Sequence, residues 1–304
     1  MFPDRQPRRF LDPQALARLA AVPLVARRPM VGTVSGRHSS PHRGSSVEFA
    51  EYRKYVPGDD LRRLDWRAFG RSDRHYVKEY EADTNLRLCL VLDTSGSMGF
   101  AAGGRPPKFD VARQICGSLA YLAAQQGDAV GLACVAESVV RTLPPRRSPA
   151  HLRLVLDLLD EARPAGATRL PELLHELAET IRQRALVVIV SDLFVDPPAL
   201  AKSLSHLAFR RHDVAVFHLL DPQEVEFPFT RPTRFLDMEG GGAVFADPVE
   251  IADRYHRAMN GYLAAVRGVM LESAVDYHRV LTDVGFEPPL ARFLVGRAAA
   301  RGQR

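Results

Sequence analysis

Between residues 86 and 220 the chain alternates short apolar runs with longer amphipathic stretches. Leu86–Leu92, Ala129–Val135, Ala185–Ser191 and Val214–Leu220 are runs of strand length. Leu186-Val187-Val188-Ile189-Val190 and Val214-Ala215-Val216-Phe217 lack polar alternation, the pattern of strands covered on both faces. Between the first two runs, Asp110–Ala124 sets Val111, Ile115, Leu119 and Leu122 on one stripe and predicts a helix. Helices are also predicted over Pro149–Leu159, Leu170–Arg182 and Pro198–Phe209, and Val139–Leu143 returns beside the preceding strand as a hairpin. The alternation predicts an α/β fold, a doubly wound, mostly parallel sheet flanked by helices.

The flanks follow other patterns. Residues 1–85 read as an irregular, β-containing N-terminal extension, with a helix near Asp12–Leu24 and a Gly-, Ser- and base-rich loop over Gly32–Ser46. Val47–Tyr55 reads as extended, Val56-Pro57-Gly58-Asp59-Asp60 as a turn, and Tyr76–Tyr80 as another strand. Downstream, Thr233–Met238 and Ala243–Ala246 flank Gly240-Gly241-Gly242 as a hairpin, and Pro248–Thr282 is mostly helical in pattern. The expected division is therefore 1–85, a sheet domain over 86–246, and a C-terminal helical segment over 247–304.

Composition narrows the class. In 304 residues, 46% hydrophobic and 25% charged content are ordinary for a soluble globular protein with a sizeable core. The three cysteines, Cys89, Cys116 and Cys134, are isolated and form no CxxC pair, which disfavours disulfides and zinc and fits a reducing compartment. The start lacks the apolar core of a signal peptide, and Arg18 and Pro23 interrupt the nearest candidate, Leu16–Ala26. No stretch reaches the roughly 18 apolar residues of a membrane span, so a cytoplasmic protein is expected. The net charge of +5 reflects arginines, some of them near the ends (Arg5, Arg8, Arg9, Arg27, Arg28; Arg292, Arg297, Arg301, Arg304). Nucleic-acid binding is the alternative this raises, but no aromatic-interleaved basic stripe accompanies it.

Candidate chemistry lies where the first sheet strand ends. Asp93-Thr94-Ser95-Gly96-Ser97-Met98 puts a carboxylate and two hydroxyls at i, i+2 and i+4. Gly166-Ala167-Thr168 lies on a later loop, and Ser191-Asp192 ends a later strand. In a parallel sheet all three segments reach one edge. Asp93 and Asp192 then give two carboxylates, and Ser95, Ser97 and Thr168 three hydroxyls, hard oxygens suited to Mg²⁺ or Mn²⁺. The plainer alternative is that Asp93 and its serines only cap a helix or tighten a turn.

With these residues in this order, the chain resembles the von Willebrand factor A fold and its metal-ion-dependent adhesion site, whose pattern is Asp-x-Ser-x-Ser, a distant Thr and a distant Asp. The resemblance implies that Ser95 and Ser97 bind the metal through their hydroxyls and Thr168 directly or through water. Asp93 and Asp192 would act mainly by orienting waters and hydroxyls. It also implies that the metal takes an outside ligand, usually a partner's Asp or Glu carboxylate. Upstream, Glu48-Phe49, Arg53, Tyr55, Gly58-Asp59-Asp60, Arg62 and Asp65-Trp66 resemble the signature of the bacterial domain of unknown function 58 family. That family joins such a preamble to a von Willebrand A-type domain, and it implies an adaptor or co-chaperone role beside an AAA+ ATPase of the MoxR type. Read on their own chemistry, Asp59, Asp60 and Asp65 interleaved with Arg62, Arg63 and Arg67 suit salt-bridged packing, and Trp66 suits a packed junction.

Enzymatic readings fit less well. A phosphatase of the haloacid dehalogenase class needs Asp-x-Asp, whereas Ser95 stands at the second position. Asp93 and Ser97 flank Ser95 where a hydrolase elbow needs glycines. Walker A, dinucleotide and HExxH motifs are missing from the sequence. A metal-activated water keeps a hydrolase as the remote alternative. The expectation is a Mg²⁺-dependent protein-interaction module that is not an enzyme.

Overall fold

The computed structural model describes residues 8–27, 48–54, 76–81 and 86–302. The chain divides into two compact units, Met1–Arg27 with Arg87–Arg304, and Arg28–Leu86. In the smaller unit, β1 (Glu48–Lys54) and β2 (Tyr76–Glu81) pair antiparallel, Glu48 opposite Glu81 and Lys54 opposite Tyr76. The expected loop over 32–46, the turn over 56–60 and the signature positions Tyr55, Gly58–Asp60, Arg62, Asp65 and Trp66 lie outside the described residues.

The larger unit begins with helix α1 (Pro13–Leu19). It continues through β3 (Arg87–Asp93), α2 (Lys108–Gln125), β4 (Ala129–Val135), β5 (Val139–Arg146), α3 (Pro149–Glu161), α4 (Leu170–Thr180), β6 (Leu186–Ser191), α5 (Pro197–Phe209) and β7 (Asp213–Leu220). A short helix α6 (Pro222–Glu226), strands β8 (Thr233–Leu236) and β9 (Ala243–Ala246), helix α7 (Pro248–Glu272), strand β10 (Asp276–Leu281) and helix α8 (Glu287–Gly302) complete it. Several helices start on the same local chemistry. Asp12, Ser148, Asp196, Asp221 and Asp247 each cap the free N–H groups of a helix whose first residue is proline.

Six strands form the sheet in the order β10-β7-β6-β3-β4-β5. All neighbours are parallel except β4 and β5, which return antiparallel. Pro144 and Pro145 are tolerated in β5 because it is an edge. β3, β6 and β7 are buried almost throughout, which is why they read as unbroken apolar runs. One face packs Cys89, Val91, Val187, Ile189, Val214 and Val216 against leucines of α4 and α5 and against Val266 and Met270 of α7. α2 and α8 cover the other face, where Phe293 meets Phe217 edge-on at 5.2 Å. The doubly wound, mostly parallel architecture is the one the sequence predicts.

Two expected elements differ. The first helix stops at Leu19 rather than reaching Leu24, since Pro23 lies ahead and the chain turns before it. The stretch Pro248–Thr282 is helical only to Glu272; Ala274 then takes a left-handed φ of 52°, and Asp276–Leu281 joins the sheet parallel to β7. No helix among the described residues is long and apolar enough to cross a membrane.

Candidate functional site

From β3 the chain passes through α2 to β4 on one side, and from β6 through α5 to β7 on the other. The crevice at the carboxyl ends of β3 and β6 is therefore the switch point of the sheet, where open α/β folds hold ligands. Asp93 ends β3, and Asp192 lies one residue past β6, with both side chains buried.

Asp93 organises the first loop. Its Oδ1 accepts from the Ser95 N–H at 2.9 Å, and its Oδ2 from the Ser191 hydroxyl at 2.6 Å. These bonds turn the chain so that the Ser95 and Ser97 hydroxyls lie 3.2 Å apart. Burial first, and then the nearby Asp192 charge, push the Asp93 carboxyl up to about 6, against the hydrogen bonds from Ser191 and Ser95. The second loop is stitched to the first: Ala165 N–H donates to the Thr94 carbonyl and Gly96 N–H to the Gly166 carbonyl, both at 2.8 Å. Thr168 follows two residues on, its hydroxyl accepting from Leu170 N–H at 3.4 Å.

Asp192 has a different partner. Its Oδ2 accepts from Lys108 Nζ at 2.7 Å, and the same ammonium donates to Glu224 Oε1 at 2.6 Å. Lys108 opens α2 and is fully buried, with its Nζ 5.0 Å from the Phe194 ring centre. Burial works against its charge, yet Asp192 and Glu224 outweigh that and raise its pKa above the ordinary lysine value. Among the described residues no three His, Cys, Asp or Glu side chains are placed to hold a metal. A cation at this crevice would thus depend on the hydroxyls. The oxygen-only donor set and the surplus of carboxylates over ammonium groups fit a hard divalent ion.

The sequence reading did not pick out three residues around this crevice. Lys108 had a signal: at i, i+4 and i+7 with Ala112 and Ile115 it continues the apolar stripe of α2, so its charge had to be paired inside. Ser191 shows in the sequence only as the neighbour of Asp192, and its tie to Asp93 is purely tertiary. Glu239, whose Oε2 accepts from Thr168 N–H at 3.1 Å, lies in a glycine-rich turn with no pattern to mark it.

Other reactive groups are muted by burial. Cys89 and Cys134 thiols are pushed up to about 12 and Cys116 higher still, so thiolate is scarce at neutral pH. His218, whose Nδ1 lies 2.8 Å from the Tyr277 hydroxyl, is held neutral at about 4, chiefly by burial.

A family model described as "Protein of unknown function DUF58" matches residues 51–262. The uncharacterized protein Rv1480 of Mycobacterium tuberculosis is 28% identical over 290 residues, 94% of this chain and 90% of that protein. Uncharacterized protein Mb1516 of Mycobacterium bovis matches to the same extent. Among solved structures, the conserved hypothetical protein BatB from Bacteroides thetaiotaomicron superposes with a TM-score of 0.50 at 15% identity, over 71% of this chain and 100% of that one. The SpRpn10 VWA domain gives a TM-score of 0.42 at 10% identity, over 69% of this chain and 95% of that one.

Proposed function

Since the chain belongs to the DUF58 family, whose description assigns no function, we propose from its own site that it is a divalent-cation-dependent protein-interaction module. Mg²⁺ or Mn²⁺ would be held by Ser95, Ser97 and Thr168, with Asp93 and Asp192 orienting hydroxyls and waters. The cation would supply an open position that takes an Asp or Glu carboxylate of a partner. The observation that carries this reading is the pair of serine hydroxyls 3.2 Å apart at the sheet's switch point, above a buried Asp93. In the adaptor role that the resemblance implies, an AAA+ ATPase of the MoxR type, or a protein it remodels, is the partner proposed.

The residues divide the work. Asp93 spends both oxygens on its own chain, through Ser95 N–H and Ser191, so it shapes the loop more than it reaches outward. Asp192 gives one oxygen to Lys108, which lowers the negative charge the cation has to meet. A less neutralised cation keeps its pull on an outside carboxylate. Binding rather than catalysis is the reading, because His218, lowered to about 4 by burial, is a weak base and the buried protonated cysteines are poor nucleophiles.

Titration calorimetry with Mg²⁺ and Mn²⁺ tests this. Asp93→Ala and Ser97→Ala are expected to weaken binding at least about tenfold, the loss expected when a metal's supporting shell is altered. Ser97 is only half-buried, so its variant separates loss of the site from loss of the fold. Equal metal binding by the wild type and both variants would exclude the site.

A further inference from the structure

The turn joining β8 and β9 lies directly on the candidate site. A Cβ added to Gly96 would fall 2.1 Å from the Met238 carbonyl oxygen, so the backbone of this turn rests on the Asp93–Ser97 loop. The turn is held in shape from within. Asp237 takes the Glu239 N–H at 2.8 Å and the Gly241 N–H at 2.9 Å on its two carboxylate oxygens. Its own N–H donates to the Gly242 carbonyl at 2.9 Å. Gly240 and Gly242 have φ near 100°, which side-chain-bearing residues rarely adopt.

This shape delivers Glu239 to Thr168. One oxygen, Oε2, accepts from the Thr168 N–H. The other, Oε1, is closed off from solvent and has no hydrogen-bond partner. A shielded, unpaired carboxylate oxygen is costly, more so than the neutral ring nitrogens and hydroxyl that also lack partners among the described residues, and native folds seldom leave one unsatisfied. A hard cation held at the Thr168 loop would be such a partner.

We infer that Glu239 is a tethered carboxylate ligand for the cation, so the resting protein occupies with its own chain the position offered to a partner. The inference rests on the metal reading of Ser95, Ser97 and Thr168. Its consequence is regulatory: a partner's Asp or Glu must displace an intramolecular competitor, and binding requires the β8–β9 turn to withdraw. The element is suited to withdrawal. β8 and β9 have four residues each, pair only with one another among the described residues, and expose Leu236, Val244 and Phe245. A two-stranded hairpin this short is marginal by itself and is held by its contacts.

Water-proton relaxation on the whole chain loaded with Mn²⁺ tests it, because the signal reports exchangeable water on the ion. Glu239→Ala is expected to gain roughly one such water as the freed position hydrates, with weaker Mn²⁺ binding. Acetate, standing in for a partner's carboxylate, is expected to remove that gain in the variant and to leave the wild type unchanged. Glu239→Gln, keeping the turn and losing the charge, is expected to fall between. Wild-type and Glu239→Ala chains with the same relaxivity and the same response to acetate would overturn this inference alone. Absence of Mn²⁺ binding to the wild type would overturn the metal reading with it.

Discussion

Lys108 is the residue on which most of the crevice's electrostatics turns. Its ammonium is shared by Asp192 and Glu224, with the lysine itself fully buried. Removing one member of a buried charge set leaves the rest uncompensated, which costs far more than the set contributes net. Lys108→Met is therefore expected to destabilise the fold by about 3–5 kcal/mol, measured by urea unfolding. Lys108→Arg is not expected to rescue it, because a planar guanidinium does not fit a site shaped around a compact ammonium. If Lys108→Met unfolds at the wild-type midpoint, the ion pair lacks the weight given to it here.

At the scale of elements, the β8–β9 hairpin and β10 are the pieces that local pattern describes least. Gly96 is where hairpin and loop meet, and an added methyl would have to displace the Met238 carbonyl. Gly96→Ala is expected to lift the turn, at a cost on the order of 1–3 kcal/mol for overpacking. Hydrogen exchange should then quicken over 237–246 while β3 and β6 keep their protection. Unchanged exchange in the turn would show that the contact is not a constraint. The strand β10 escaped the sequence reading for a physical reason. α7 ends without a glycine or proline stop, with Ala274 in the conformation glycine usually supplies. As an edge strand, β10 also mixes buried Asp276 and Val280 with exposed Arg279, so neither period stands out.

Across the whole molecule, buried polar groups tie distant segments to the sheet. Arg297 of α8 is fully buried and reaches Asp276 of β10, Asp213 of β7 and the Val25 carbonyl, joining the segment after α1 and the last helix to two strands of the sheet. His212, just before β7, accepts the Ala185 N–H on Nδ1 at 3.3 Å, and burial lowers its pKa to about 4. The unfolded chain protonates this imidazole near its ordinary value of 6.5, whereas the folded chain resists until about 4. Between those values the unfolded state binds more protons, so stability is expected to fall as pH drops from about 6.5 to about 4. The share from His212 would be about 3 kcal/mol in full and on the order of 2 kcal/mol once solvent screening is allowed for. Chemical unfolding across that range measures it. Buried His218, also lowered to about 4, adds to the same slope, so His212→Gln should make the profile shallower without levelling it; an equally steep profile in the variant would assign the effect to other groups.

The sequence by itself determined the strands β3, β4, β6 and β7, because residues covered on both faces must be apolar without interruption. It also determined that Asp93, Ser95 and Ser97 share one strand-end loop, since their spacing is local and the Asp93 carboxylate closes the loop by accepting the Ser95 N–H. The helix starts at Asp-Pro and Ser-Pro are equally local in their chemistry. What only the tertiary structure decided are contacts between residues far apart in the chain. Lys108 meets Asp192 across 84 positions, and Glu239 meets Thr168 across 71. No period or propensity encodes such pairs. They exist because a parallel sheet gathers the ends of its strands at one edge, where side chains with no local partner find each other.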